Sequence, residues 1–190
     1  PPEPPVLRER LEPFRKAFEL LGDGPRFMQD LDPLTGMGIC PIESLLLGGP
    51  VEQTLKQNKD HFTKRNLLQA LCPSCATAAL FSYQTNGPAG GSGHRKGIRR
   101  DGPLTVIVLG GSLWETLWLN TLCRSGTEAN GGSSSTGMLE VFPWLSPTHT
   151  SENSQVATPE SWVPTHVFWA MPGRFRLVED HSGVCGLCGS

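Results

Sequence analysis

Apolar and polar positions recur along this chain with two periods, and the periods mark out its segments. Leu7, Leu11, Phe14, Phe18 and Leu21 return every three or four residues, the spacing that lines up side chains on one face of an α-helix. That helix is expected to stop at Gly22-Asp23-Gly24, with Pro13 either kinking it or opening its main part. Turn signals at Asp32-Pro33, Thr35-Gly36 and Gly48-Gly49-Pro50 predict loop over 26–50, with one short helix over 42–47. A further helix is expected over 74–85, with Ala76, Ala79, Leu80 and Tyr83 on its inner face. The period then shortens. LTVIVL at 104–109 is β-branched enough to predict a strand. Ser112-Leu113-Trp114-Glu115 has the form of a capping box, which predicts a helix reaching Leu122 with Leu113, Leu117, Trp114 and Trp118 packed inward.

Residues 125–160 are rich in Gly, Ser, Thr, Asn and Pro. A stretch so polar cannot build a core, so it is expected to be a long, flexible surface insertion. Two extended runs around Pro172-Gly173, in WVPTHVFWAMPGRFRLVED, suggest a hairpin. These segments predict an irregular mixed α+β domain of short helices and a few strands, with no internal repeat and no boundary to a second domain.

A hydrophobic content of 37% over 190 residues allows a real core, and no apolar run approaches the ~18 residues that a membrane span needs. The chain does not begin with Met and ends directly after its last cysteine pair, so it reads as a fragment. The net charge of −2 argues against a surface coated by nucleic acid, but it conceals an asymmetry. Eight of the sixteen Lys and Arg residues lie between Lys56 and Arg100, with Asp60 the lone acid among them. Those cations bracket glycines and polar amides, which suits anionic ligands better than a solvated helix face would.

Four of the six cysteines form two C-x-x-C pairs, Cys72/Cys75 and Cys185/Cys188. Two thiolates from one tight turn can reach one ion, and two such turns complete a tetrahedral site. The pairs are separated by far more chain than a compact zinc ribbon has. A disulfide framework suits small secreted chains. Redox chemistry at Cys72-Pro73-Ser74-Cys75 lacks the preceding strand of a thioredoxin-like motif. Cys40 and Cys123 fit plain core positions.

The loop GPAGGSGHRKG at 87–97 is not a nucleotide-binding signature, because Lys96 precedes Gly97 and the glycine spacing misses G-x-G-x-x-G by one residue. What remains is a loop whose missing Cβ atoms allow close backbone approach, beside Arg95, Lys96, Arg99 and Arg100. A tight turn with a solvated basic rim has the same composition. None of the five histidines has a matched acid or nucleophile at a recognisable spacing, which makes an enzyme a poor reading.

The ordered series Phe27-Met28-Gln29, Phe62-Thr63-Lys64-Arg65, CPSCATAALF at 72–81, NGPAGGSGHRKGIRRDGPLT at 86–105, LWLNTL at 117–122, VFWAMP at 167–172 and the final C-x-x-C resembles the CasA family. CasA proteins are the large subunits of Cascade, the type I-E CRISPR surveillance complex. The resemblance spans nearly the whole chain and implies that 1–190 is part of one large N-terminal domain, without the C-terminal helical bundle. It implies a structural zinc ion held by Cys72, Cys75, Cys185 and Cys188. It implies contact with the 5′ handle of the guide RNA through Phe62, Thr63, Lys64, Arg65 and Asn66. Ala89, Gly90, Gly91 and Ser92 would approach the minor groove of the protospacer-adjacent motif, with Arg95, Lys96 and Arg99 on phosphates.

The function implied is that of a non-catalytic, cytoplasmic prokaryotic subunit of an antiviral complex. Its partners would be guide RNA, double-stranded target DNA, the other Cascade subunits and a nuclease-helicase recruited after target binding, and no membrane. A cysteine-based redox or zinc metalloenzyme domain is the alternative from another class.

Overall fold

Proline shapes the first element. The computed structural model describes residues 3–50, 52–60, 65–66, 68–87, 106–121, 137–148, 168–180 and 183–190, and its first helix, α1, spans Pro4–Leu11 with proline in its first turn. A missing N–H costs nothing there. Pro13 does cost one: its ring crowds the carbonyl four residues back. The chain accordingly tightens into a 3₁₀ helix over Glu12–Phe18. The expected apolar stripe is split by this change. Leu11 stays exposed, whereas Ala17 is buried and Phe14 and Leu20 pack against the core.

Aromatic rings from distant segments form that core. Phe18 stacks on Phe27 at 5.3 Å and meets Phe142, Trp144 and Trp169 edge-on at 5.2, 5.9 and 5.8 Å, arrangements that the ring quadrupoles favour. Trp144 is fully buried, and its indole N–H donates to the Ala17 carbonyl at 2.6 Å. The short helix expected over 42–47 is a 3₁₀ turn, Ile42–Leu45, and a one-turn helix α2 follows at Glu52–Lys56.

The principal helix, α3, runs Pro73–Asn86 and buries Ala76, Ala79, Leu80 and Gln84. The expected inner face therefore holds, with Tyr83 half-buried edge-on against Phe175 at 5.3 Å. Gln84 is the addition, a polar side chain on the core face. Its amide donates to the carbonyls of Met28 (3.1 Å) and Gly173 (2.8 Å) and accepts from the Gly173 amide (3.0 Å).

The α+β expectation is overturned: the described residues contain helices and no strand. At Val106–Leu109 the reason is local. Asn120 both accepts from the Val108 amide (3.0 Å) and donates to its carbonyl (2.8 Å), so a side chain satisfies the groups a neighbouring strand would take. Of the hairpin expected around Pro172-Gly173, residues 162–167 lie outside the described residues, and 168–180 form a strap with a turn at 168–169, a bend at Gly173 and no strand. One backbone bond, Asp30 N–H to the Phe175 carbonyl at 2.9 Å, joins the strap to the 26–32 turn. Side chains hold the rest. Gln29 accepts from the Leu177 amide at 2.8 Å, Arg176 donates to the Asp30 carbonyl at 3.0 Å, and Arg174 pairs with the buried Asp30 carboxylate.

Two further departures concern the middle of the chain. Helix α4, Leu113–Leu119, is capped as expected, since Ser112 Oγ accepts from the Glu115 amide at 3.1 Å. It ends before Leu122 and buries no residue, and Trp114 and Trp118 pack on each other, edge-on at 5.6 Å. Residues 137–148 lie within the stretch expected to be a surface insertion. They form α5, Met138–Val141, and a 3₁₀ turn, Pro143–Leu145, and they place Phe142 and Trp144 in the core.

Candidate metal centre

Cys72 is the residue from which α3 starts. Its extended backbone (φ −66°, ψ 160°) leads into Pro73, and its carbonyl accepts the first helical bond from Ala76 at 2.9 Å. Cys75 thereby sits in the first turn, on the same end of the helix as Cys72. The second pair lies on a tight turn over 183–190. Cys185 donates to the Ser190 carbonyl and Gly189 donates back to the Cys185 carbonyl, both at 2.9 Å. Gly189 has φ +76°, a conformation that side chains resist.

This turn is pressed against the residues just before α3. The Gly186 amide donates to the Ala70 carbonyl at 3.0 Å, and a Cβ on Gly186 would lie 2.7 Å from Leu68 Cδ1. A side chain at position 186 would have to push the Leu68 methyl aside. All four Sγ atoms, from Cys72, Cys75, Cys185 and Cys188, lie within 4.8 Å of one another, and Cys72 and Cys188 are 3.7 Å apart. A tetrahedron of Zn–S bonds has edges of about 3.8 Å, so the four sulfurs fit a zinc ion with all four positions filled by protein. Cys185 is buried, Cys72 and Cys75 half-buried, and Cys188 exposed.

The thiols are not equivalent. Amides of Cys72 and Cys188 lower Cys185 to about 6, with the Leu187 amide adding to them. The Cys75 amide, then the Cys75 thiol and Ser190, also lower Cys72. Cys75 is pushed up to about 12 by the neighbouring Cys72 and Cys188 sulfurs and by loss of water. The cluster thus offers one sulfur already poised as a thiolate at neutral pH and one that surrenders its proton only to a competing cation.

Cys40 is exposed, against the expectation of a core position, and Cys123 lies outside the described residues. Of the expected RNA contacts, Arg65 and Asn66 are described, and Phe62, Thr63 and Lys64 lie outside the described residues. Arg65 makes a two-pronged pair with Asp60, including Nη2 to Oδ1 at 2.6 Å, and Nη2 also donates to Asn58 Oδ1 at 3.0 Å. The Asn66 amide donates to the buried Glu43 carboxylate at 3.2 Å. Asn58, Asp60 and Glu43 were not singled out by sequence reasoning. The one available signal was Asp60, the lone acid in a basic window. The expected DNA contacts Ala89, Gly90, Gly91, Ser92, Arg95, Lys96 and Arg99 all lie outside the described residues. They follow Gly87, which closes α3 with its amide on the Tyr83 carbonyl at 2.9 Å.

Among the described residues no helix is long and apolar enough to cross a membrane. The family model for CRISPR-associated protein Cse1 matches residues 1–188. With the match extending across both cysteine pairs and every segment that carried the CasA resemblance, this chain belongs to the Cse1/CasA family of large subunits of the type I-E Cascade complex.

Proposed function

We propose that this chain carries the part of a Cascade large subunit that recognises the protospacer-adjacent motif in duplex DNA and contacts the 5′ handle of the guide RNA. The observation that carries the reading is the placement of α3. Its N-terminus starts from the four-cysteine centre, shortly after the segment 62–66, and its C-terminus delivers the glycine loop at 88–97. Fourteen helical residues are a stiff spacer of about 21 Å, and in this reading they lie along the chain between the RNA-contacting stretch and the DNA-contacting one.

Zinc, held by Cys72, Cys75, Cys185 and Cys188, supplies structure here and no reaction, because a closed Cys₄ site leaves no open position for substrate. The protein's own residues do the recognition. Gly90 and Gly91 allow backbone to approach the minor groove, whose degenerate pattern suits tolerant reading. Arg95, Lys96 and Arg99 bind phosphates and supply affinity without sequence information. Base pairing with the guide then reads the target, the division of labour found in RNA-guided effectors generally. In this reading residues 1–190 belong to one large domain, the chain works in the prokaryotic cytoplasm, and the assembled complex recruits a nuclease-helicase once the target is bound.

The test compares Gly91→Asp with Arg95→Ala in the complete protein within its complex, using matched duplexes with and without the adjacent motif at fixed salt. Gly91→Asp is expected to abolish discrimination and leave weak general binding. Arg95→Ala should weaken both duplexes by a similar factor. A Gly91→Asp complex that still discriminates normally removes the glycine loop from the recognition site.

A further inference from the structure

The four sulfurs of the metal centre meet solvent unequally. Cys188 is exposed, Cys72 and Cys75 are half-buried, and Cys185 is buried. The turn that carries Cys188 is exposed around it, with Val184 at 71% and Leu187 at 54%, so little apolar packing fixes this edge of the cluster among the described residues. A solute arriving from water meets Cys188 first.

Cys188 Sγ stands 3.7 Å from Cys72 Sγ, on the other turn and 116 residues away in the chain. A disulfide holds its sulfurs at about 2.0 Å, so a closure of about 1.7 Å would join them. Both positions have room to give. Cys72 has extended backbone ahead of the helix (φ −66°, ψ 160°), and Cys188 is followed by Gly189 at φ +76°. Cys75 lies inside the first turn of α3, and Cys185 is fastened at both its amide and its carbonyl, each at 2.9 Å. The choice of pair has a structural consequence. A bond within either C-x-x-C pair would break the ligand set and leave the two turns unconnected, whereas a Cys72–Cys188 bond joins the same two turns that a shared metal joins.

We propose that Cys188 is the oxidation site of the cluster and Cys72 its resolving partner, so that a hydroperoxide exchanges the metal link between the two turns for a disulfide across them. The proposal rests on the zinc reading above. In the first step the Cys188 thiolate attacks the terminal oxygen of the hydroperoxide; an S–O bond forms, the O–O bond breaks, and the alkoxide leaves and takes a proton from water. In the second, the Cys72 thiolate attacks the Cys188 sulfenic sulfur; the S–S bond forms and hydroxide leaves. The two sulfurs lose two electrons in all, and the hydroperoxide gains them. Cys75 and Cys185 alone do not close a tetrahedral site, so the metal is released. A thiol reductant reverses the disulfide and restores the ligand set. Chelation and oxidation thus have different outcomes: both remove the metal, but only chelation detaches the turn.

The test uses the complete protein, loaded with zinc, freed of reductant and treated with hydrogen peroxide in excess over its thiols. Zinc content before oxidant is measured first, then zinc released to an indicator, disulfides mapped by mass spectrometry of proteolytic peptides, and the melting temperature. The free, exposed thiol of Cys40 should react ahead of the cluster and reports delivery of the oxidant. Zinc release and the Cys72–Cys188 disulfide should then rise together, and Cys40→Ser should alter neither. Chelator on the reduced protein should lower the melting temperature by about 10–20 °C, as for loss of a cross-link of this span. The oxidised protein, equally free of metal, should keep most of that difference and lose it when reductant and chelator are added together.

Zinc retained while Cys40 oxidises overturns Cys188 as the point of entry. Zinc release with disulfides confined to Cys72–Cys75 and Cys185–Cys188, or with sulfinic acid at Cys188 and no disulfide, overturns the exchange. An oxidised protein that melts with the chelated one overturns the retained link. A protein that holds no zinc before oxidant overturns the metal reading and the exchange with it, and the first measurement separates that failure from the others.

Discussion

Cys188→Ser is the sharpest test of the metal centre. Cys188 is the exposed member of the four, so its replacement removes a ligand without opening a cavity. Among the described residues, few other contacts hold the 183–190 turn in place. Its backbone tie to the rest of the chain is the Gly186 amide on Ala70, worth about 1 kcal/mol net, together with the contact between Gly186 and Leu68. A metal held by the four cysteines would be the main link, joining positions 116 residues apart at Cys72 and Cys188. Treated as a cross-link on the unfolded chain, a loop of that length stabilises the fold by about 5 kcal/mol at 25 °C. For a domain of this size each kcal/mol moves the melting temperature by about 2–4 °C. Cys188→Ser, or a strong chelator on the unmodified protein, should therefore lower it by roughly 10–20 °C.

The assay has three readouts. Zinc content should be one ion per chain before and well below one after the substitution. Thiol titration of the unmodified native protein should find Cys72, Cys75, Cys185 and Cys188 protected until chelator is added, while exposed Cys40 reacts at once. The melting curve gives the energetic term. A Cys188→Ser protein that keeps stoichiometric zinc and an unchanged melting temperature would falsify the shared site. A metal-free protein that forms a reversible Cys72–Cys75 disulfide under mild oxidation would favour the redox alternative.

The remaining expectations concern pH and the strap over 168–180. Cys185 is lowered to about 6, so its thiolate contributes stability that is complete above the ordinary thiol range and is lost as pH falls through about 6. Cys75, raised to about 12, must lose a proton to bind metal at neutral pH, so zinc affinity should rise with pH and zinc should be released on acidification below about 6; pH-independent affinity between 5 and 8 refutes both assignments. Gln84→Ala removes three hydrogen bonds to Met28 and Gly173 and leaves the buried Met28 carbonyl and the half-buried Gly173 backbone short of partners, a loss of roughly 2–4 kcal/mol. Denaturant unfolding should show the loss, and faster hydrogen exchange at Gly173 should accompany it; a change under 0.5 kcal/mol, within the range of surface substitutions, refutes the role given to Gln84.

What was legible in the sequence was local. Pro73 at the first turn and the spacing of Ala76, Ala79 and Leu80 mark α3, because a helix satisfies its backbone within its own segment. Ser112 marks the start of α4 for the same reason. Strand propensity carries no such guarantee. Val106–Leu109 has the right side chains, but a strand exists only beside another, and here Asn120 takes the Val108 backbone groups instead. The core contribution of Phe142 and Trp144 was hidden by averaging, since the apolar octet MLEVFPWL at 138–145 sits within long polar flanks. At the metal centre the chemistry of each pair was readable from its spacing, whereas the meeting of the two pairs came from the family resemblance and not from the spacing. The two turns meet through contacts between positions far apart in the chain, among them Gly186 N–H to the Ala70 carbonyl and Gly186 beside Leu68. The Arg65–Asp60 pair was missed because a cation in a basic window reads as a ligand for anions until its own acid is placed beside it.

A common feature of the C-terminal attachments follows from these particulars. The strap is held mainly by the side-chain amides of Gln29 and Gln84 and by Arg174 and Arg176, and the turn after it by four thiols. Apolar packing alone tolerates sliding, because dispersion and water exclusion are nearly non-directional. Amide pairs and tetrahedral thiolates are directional, and a shift of one residue breaks them outright. The segments so fixed are those that pack on α3, the helix that lies in sequence between the two proposed nucleic-acid segments. If α3 sets the spacing between RNA and DNA, its register has to be specified more tightly than a hydrophobic core of this kind would specify it. The buried glutamines and the cysteine cluster supply that specification at both ends of the helix.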